Sequence, residues 1–353
     1  MPRNLVNFFC LLVVLCLGAV AVGAQVPPSP MPVPDKKLPR DHKVKIYPPP
    51  PGHEAPGVFE GNDGVTSEKS ASVDANVTIK LCVAHGELKI NGWRRNEVRV
   101  FVKDGREFRM KTLEKSATSG KINWLMVGTA VEERSGPLSQ CLAGETIEVD
   151  APLGSMFDLS GRAASTAVDS VKQVKVKILE GVITLRNIPG GINATTYQGD
   201  VIVENSGGSI TLETTTGNIV AVEVTPGQIG EALTVNTKGG SISLQRVEHR
   251  QIVANSISGS LLFDGKFLPG GIYNFRTSNG SIKLAIPIGS SCTIRATYGT
   301  GRFESDLPLK IITENVTPEA KIVVARAGTG EGGASVNLST TRGSIAIKRQ
   351  GLP

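Results

Sequence analysis

Thr237-Lys238-Gly239-Gly240-Ser241-Ile242-Ser243-Leu244 is the stretch that decides the fold, because its spacing, Thr-x-x-Gly-x-aliphatic-x-aliphatic, returns along the chain. The glycine and its aliphatic pair recur as Gly181-Val182-Ile183-Thr184-Leu185, Gly199-Asp200-Val201-Ile202-Val203 and Gly208-Ser209-Ile210-Thr211-Leu212. They continue as Gly259-Ser260-Leu261-Leu262-Phe263, Gly280-Ser281-Ile282-Lys283-Leu284 and Gly343-Ser344-Ile345-Ala346-Ile347, with Gly217 and Gly301 as further turn glycines. Thr196, Thr214, Thr237, Thr277 and Thr340 stand three residues before such a glycine, and Ser256 replaces threonine once.

Aliphatic residues two apart point to one face of a strand, so a unit of this size offers only two or three inward side chains. It cannot bury that face alone. Stacking equivalent units at about 4.8 Å pairs each backbone with its neighbours and fuses the small faces into one core. The expected fold is therefore all-β, a β-solenoid resembling a parallel β-helix, over residues 145–353. In this reading the glycine supplies a sharp corner with positive φ, and the threonine bonds the turn backbone. An antiparallel β-sandwich with glycine-rich hairpins also places turns every 8–12 residues and stays open as the alternative.

Upstream, Val77-Thr78-Ile79-Lys80-Leu81-Cys82-Val83, Gly86 to Trp93 and Glu97 to Val102 read as three strands, with a fourth over Ile122 to Val131. Residues 76–144 are expected to cap the solenoid, with Trp93 packed over its open end. Gly161 to Val171 is the one segment that could form a short helix. Residues 25–75, with Pro27-Pro28-Ser29-Pro30 and Pro48-Pro49-Pro50-Pro51, read as a Pro-rich disordered linker. Residues 1–24 read as a signal peptide: Arg3 precedes the apolar run Leu5 to Val22, and Val22-Gly23-Ala24 resembles a cleavage site. An uncleaved anchor of that length is the other possibility, and the only membrane contact expected.

Forty glycines and 5% aromatic residues among 353 suit many short strands better than a globular enzyme. The net charge of +6 is scattered rather than gathered in a basic helix, which argues against nucleic acid as partner. Of five cysteines, two fall in the leader, leaving Cys82, Cys141 and Cys292. Cys82 with Cys141 is the disulfide to test in an exported chain; three buried thiols are the alternative.

No catalytic, cofactor or metal site is expected. Asp200, Asp264 and Asp306 occur singly, whereas glycoside hydrolysis needs opposed carboxyl groups. His85 and His249 read as surface or capping residues. No serine lies in a nucleophile elbow, the loop at Gly328-Thr329-Gly330-Glu331-Gly332-Gly333 lacks the ending of a phosphate loop, and the calcium-binding nonapeptide is missing. What remains is a polar outer face with Tyr197 and Tyr298 just before turn glycines, able to contact a glycan or an envelope protein.

Several of these residues also carry a family resemblance. Gly86-Glu87-Leu88-Lys89-Ile90-Asn91-Gly92-Trp93 with Glu97-Val98-Arg99-Val100, the repeats at Gly199, Gly208 and Gly280, and Ile286-Pro287-Ile288-Gly289-Ser290 resemble the bacterial putative-adhesin family. So do Tyr298 through Asp306 and the ending Leu338 through Lys348. The resemblance spans about residues 77–350 and is poorest over 104–145. It implies a domain of repeated strands in envelope or secreted proteins and carries over no catalytic residue. The reading is an exported, non-enzymatic module, extracellular, at the cell surface or periplasmic, serving as adhesin or as a surface structural or binding module, of undetermined oligomeric state; an envelope scaffold or signalling partner, and a polysaccharide-active β-helix enzyme, are the alternatives.

Overall fold

A computed structural model of the chain describes residues 65–129, 141–328 and 333–351. The expected leader, residues 25–64 of the expected linker and Thr329 to Gly332 of the glycine loop lie outside the described residues. Every element is a strand, and no helix forms among the described residues. The N-terminal group is β1 (Val65–Trp93), β2 (Glu97–Gly105), β3 (Phe108–Lys115), β4 (Ile122–Thr129), β5 (Leu142–Pro152) and β6 (Met156–Asp169). The repeats follow as β7 (Gln173–Glu180), β8 (Ile183–Arg186), β9 (Ile192–Gln198), β10 (Val201–Gly207), β11 (Ile210–Thr216) and β12 (Ile219–Thr225). They continue as β13 (Ala232–Gly239), β14 (Ile242–Val247), β15 (Gln251–Ser258), β16 (Leu261–Asp264), β17 (Ile272–Asn279) and β18 (Ile282–Ile286). The C-terminal group is β19 (Cys292–Thr300), β20 (Phe303–Ser305), β21 (Lys310–Val316), β22 (Lys321–Ala327), β23 (Ala334–Arg342) and β24 (Ile345–Arg349).

Each solenoid coil contributes two strands to two parallel ladders. One, the A ladder, runs β7-β9-β11-β13-β15-β17, and the other, the B ladder, runs β8-β10-β12-β14-β16-β18. This two-strand coil accounts for the mixed repeat spacing in the sequence. Gly199 and Gly208 flank one strand, β10, of a single coil, whereas successive coils are offset by 18, 23, 19 and 21 residues. Side chains alternate along every strand, and the aliphatic pairs stack in columns between the ladders. Ile183, Val201, Ile219, Ile242, Leu261, Ile282 and Ile345 form one buried column, and Leu185, Val203, Ala221, Leu244, Phe263, Leu284 and Ile347 the next. Fully burying one such side chain is worth about 1.5–3 kcal/mol, so the columns dominate stability.

The glycines between A and B strands form a ladder of their own. A Cβ on Gly199, Gly217, Gly240, Gly259, Gly280 or Gly343 would overlap the carbonyl oxygen of the corner glycine one coil below. Gly181 meets the carbonyl of Ala164 in the same way, and Gly301 that of Gly343. Positive φ is thus only part of the requirement, and Gly280 lies outside the positive-φ set altogether. Gly208 is a correction to the expected series: it sits at a different corner, with φ 87°, against Gly190 and Gly191.

The motif threonines bond across coils rather than within their own turn. Thr214 Oγ1 donates to Gly199 O at 3.0 Å, Thr237 to Gly217 at 3.1 Å, Thr277 to Gly259 at 2.8 Å and Thr340 to Gly280 at 2.8 Å. Ser256 does the same to Gly240 at 3.0 Å. All of these hydroxyls point inward, so the motif threonines are buried and do not form the outer face.

The N-terminal strands belong to the same stack. β1 passes round the corner, pairing with β6 along Thr78 to Asn91 as a first coil, and with β4 and β5 on its other side. Val65 to Ser72, inside the stretch expected to be linker, is already strand, pairing antiparallel with β2. Gly161 to Val171 is not helical: β6 runs to Asp169, its inward Ala164, Thr166 and Val168 buried beside β8. Trp93 ends β1, donating from Nε1 to Glu97 O at 2.7 Å, with the Arg95 and Arg99 guanidinium groups over its ring.

At the other end the order of coils departs from the order of the chain. β23 pairs with both β17 and β19, and β24 with both β18 and β20. The last coil in sequence is therefore inserted beneath the one before it. The antiparallel β21–β22 hairpin then covers the outer side of β19.

Candidate binding groove

Counting back from the corner glycine of each A strand, positions three and five before it point into the core and positions two and four point out. The row two before the corner reads Leu179, Tyr197, Thr215, Lys238, Ile257 and Ser278 across β7 to β17. The row four before it reads Lys177, Thr195, Glu213, Asn236, Asn255 and Arg276. Between and beside these rows lie two hollows of about 660 and 570 Å³ that share Thr195, Thr196 and Thr215 and so form one groove across the outer face of the A ladder. Lys80 of β1 and Met126 to Gly128 of β4 line the N-terminal hollow, and Arg276 and Ser278 the C-terminal one.

The floor is a set of repeated polar groups at strand spacing. Asn255 Nδ2 donates to Asn236 Oδ1 at 3.0 Å, and Asn236 Nδ2 to Glu213 Oε1 at 3.4 Å, which fixes the orientation of each amide. Tyr197, 58% exposed, presents its ring beside Leu179 with no cross-coil partner for its hydroxyl among the described residues. Four cations, Lys80, Lys177, Lys238 and Arg276, line the groove against one carboxylate, Glu213. None of the four is in an ion pair among the described residues, although eleven ion pairs form elsewhere.

The two tyrosines singled out in the sequence separate. Tyr197 faces the groove, but Tyr298 is 6% exposed and stacks in register with Thr340, with Lys321 Nζ 5.9 Å from its ring centroid. A change of one position along a strand exchanges the faces. Tyr298 lies three residues before its corner, Gly301, and so points inward, where it fills the outermost A–B coil; burial raises its pKa.

Cys82 and Cys141 are joined in a disulfide with Cα atoms 4.4 Å apart, tying β1 to the start of β5 at the edge of the groove. Cys292 is a buried free thiol whose pKa burial pushes up to about 11, so it is almost wholly protonated at neutral pH. The three acids considered for chemistry are dispersed. Asp200 accepts the backbone N–H of Asn218 at 2.7 Å, Asp264 accepts Gln350 Nε2 at 2.9 Å, and Asp306 pairs with Lys348 at 3.1 Å. His85 is exposed on β1. His249 corrects the expectation of a surface residue: it is fully buried, Nε2 donating to Gly208 O at 2.8 Å, and desolvation lowers its pKa. Among the described residues no three His, Cys, Asp or Glu side chains cluster.

The groove residues themselves were missed by sequence reading, apart from Tyr197. Lys177, Lys238 and Arg276 look like scattered surface charges until the register places them on one face.

No family model matches the chain, and no curated protein matches it. Among solved structures it is similar to a putative cell adhesion protein from Clostridium sporogenes, at 13% identity and TM-score 0.25, covering 81% of this chain and 100% of that one. It is also similar to a putative adhesin from Parabacteroides distasonis, at 13% identity and TM-score 0.31, covering 81% of this chain and 98% of that one. Both are described as adhesion proteins, the kind the sequence resembles, but at these scores they carry no argument about this chain's fold or activity.

Proposed function

We propose that the protein is an exported, non-enzymatic binding module of the adhesin kind, which holds an extended surface glycan along the groove of the A ladder. The observation that carries this reading is the groove itself. It crosses β1 to β17 with hydroxyls and amides repeated at strand spacing and one large exposed aromatic ring, Tyr197, at its middle. Such a surface suits an extended ligand, since successive coils offer polar groups at strand spacing and the ring stacks on the apolar face of a sugar. Export is supported by the apolar N-terminal run in the sequence and by the Cys82–Cys141 disulfide, a bond that persists in oxidising compartments. Binding rather than hydrolysis is supported by the groove's single carboxylate, Glu213, whose oxygen accepts the Asn236 amide.

The test is a glycan array probed with the full chain and with Tyr197→Ala. Binding to at least one extended glycan, weakened about tenfold by Tyr197→Ala, is expected. Absence of any glycan binding, or binding indifferent to Tyr197, would contradict the assignment.

A further inference from the structure

We propose that Trp124 is a second stacking platform of the groove, so that the glycan lies obliquely across the A ladder, from Tyr197 to Trp124. This rests on the glycan reading above and deepens it by giving the ligand a direction and a minimum length. The chain has two tryptophans, and the fold engages only one of them. Trp93 donates from Nε1 to Glu97 O and lies under the Arg95 and Arg99 guanidinium groups. Trp124 is 42% exposed, and among the described residues no ring or cation stacks on it and its Nε1 has no acceptor. An indole left this far in water offers apolar area together with a free N–H, the pair of features by which an aromatic ring holds a sugar.

Parity puts Trp124 on the groove face. Leu125 and Val127 are buried, so Trp124, Met126 and Gly128 point outward from β4, with Trp124 in register with Thr78 and Met126 with Lys80 on β1. The N-terminal hollow beside them runs obliquely. Met126 and Lys80 share one row on β4 and β1, Ser160 and Lys177 share the next on β6 and β7, and Leu179 and Tyr197 share the one after on β7 and β9. All six line that hollow, and Trp124 stands one row beyond Met126 on the same diagonal. An aromatic ring thus marks each end of the course.

The spacing sets a length. From β4 to β9 there are four strand steps, about 19 Å, and from the row of Trp124 to that of Tyr197 six residues along the strand, about 20 Å. The two positions are therefore about 28 Å apart on the face. A sugar in an extended chain is about as long as one strand spacing, so the rings lie about six sugars apart and a chain of about seven reaches both.

The experiment is calorimetric titration of the full chain with cello-, chito- and laminari-oligosaccharides, each about three and about seven sugars long. The longer form of the best binder is expected to bind about tenfold tighter than the shorter. Trp124→Ala should abolish that gain while changing the shorter form less than about twofold, whereas Tyr197→Ala should weaken both. Trp124→Phe keeps a ring and should restore most of the loss. Binding of the longer form should also shift the tryptophan fluorescence of the parent, a signal expected to be absent in Trp124→Phe and one that a merely structural role would not produce. Trp124 faces solvent, and unchanged melting of the variants checks that the fold is intact.

Equal affinity for short and long forms, or a loss in Trp124→Ala that is the same at both lengths, would overturn this inference. If binding then still depends on Tyr197, the glycan reading stands. Failure of all these oligosaccharides would overturn the inference as well, and a silent glycan array would remove the function above with it.

Discussion

Each coil turns twice where it matters most, and the two corners solve the same geometric problem differently. At the corner between A and B strands the residue is glycine in every coil from Gly181 onward, and its Cα packs on the carbonyl of the coil below. At the end of the B strand the chain again takes positive φ, but with Ser170, Asn187, Asn205, Glu223 and Arg246, at 59°, 54°, 45°, 56° and 52°. These five also stack, Asn205 Nδ2 donating to Asn187 Oδ1 at 2.6 Å and Arg246 Nη2 to Glu223 Oε1 at 2.8 Å. The second corner directs its side chains to solvent, where a Cβ has room; the first directs the Cβ into the neighbouring backbone. The sequence pattern therefore records coil-to-coil contact more than backbone conformation.

Breaking the first corner should have the largest effect. Gly240→Val adds a β-branched side chain where a single Cβ already overlaps Gly217, and a loss of about 3 kcal/mol or more is expected in urea unfolding, or no soluble protein. Thr237→Val keeps the shape but removes the hydroxyl bonded to Gly217 O, and should cost about 1–2 kcal/mol by the same measurement. At the second corner the sign reverses. Glu223→Gly relieves a non-glycine residue at φ 56° while losing an exposed pair with Arg246, so stability should stay level or rise by up to about 1 kcal/mol. A loss larger than that of Thr237→Val would show that the outer ladder of side chains, not the backbone, holds that corner.

The smallest effect is a pH dependence at the chain segment that follows Arg246. Burial holds the folded-state pKa of His249 below its ordinary value near 6.5, opposed in part by the Gly208 carbonyl and by Glu231. A depressed histidine pKa means that the unfolded chain takes up the proton first. The stabilising contribution is thus complete above about pH 6.5 and is lost as pH falls from there towards the folded pKa. His249→Gln can still donate to Gly208, so its urea midpoint should fall less than that of the parent between pH 7 and pH 5.

Much of the fold was legible because parity and glycine spacing act locally. The inward aliphatic pairs Ile242 and Leu244, or Ile282 and Leu284, could be read directly from their alternation. What could not be read were facts that depend on which coil lies next to which. The partner of Thr237 is Gly217, 20 residues away, and no local rule points from one to the other. The insertion of β23 between β17 and β19 is visible only in hindsight, in the closer match of Gly343-Ser344-Ile345 to Gly280-Ser281-Ile282 than to Gly301-Arg302-Phe303. Val65 to Ser72 looked like linker because Thr66, Ser67, Glu68 and Lys69 lack an apolar alternation, and pairing with β2 supplies their order. The groove suffers from the same difficulty. Lys177, Glu213 and Arg276 become neighbours of one surface only through the five strand pairings of the A ladder, and Tyr298 was misplaced for want of a single residue of parity.

Gly280→Ala tests the central claim most directly, because Gly280 is the corner glycine outside the positive-φ region, so alanine brings steric overlap with Gly259 without the backbone penalty. If coil stacking selects the glycine, thermal and urea unfolding of Gly280→Ala should show a loss of about 2 kcal/mol or more. Stability equal to the parent, within about 0.5 kcal/mol, would contradict the stacking account and return the glycine to a purely conformational role.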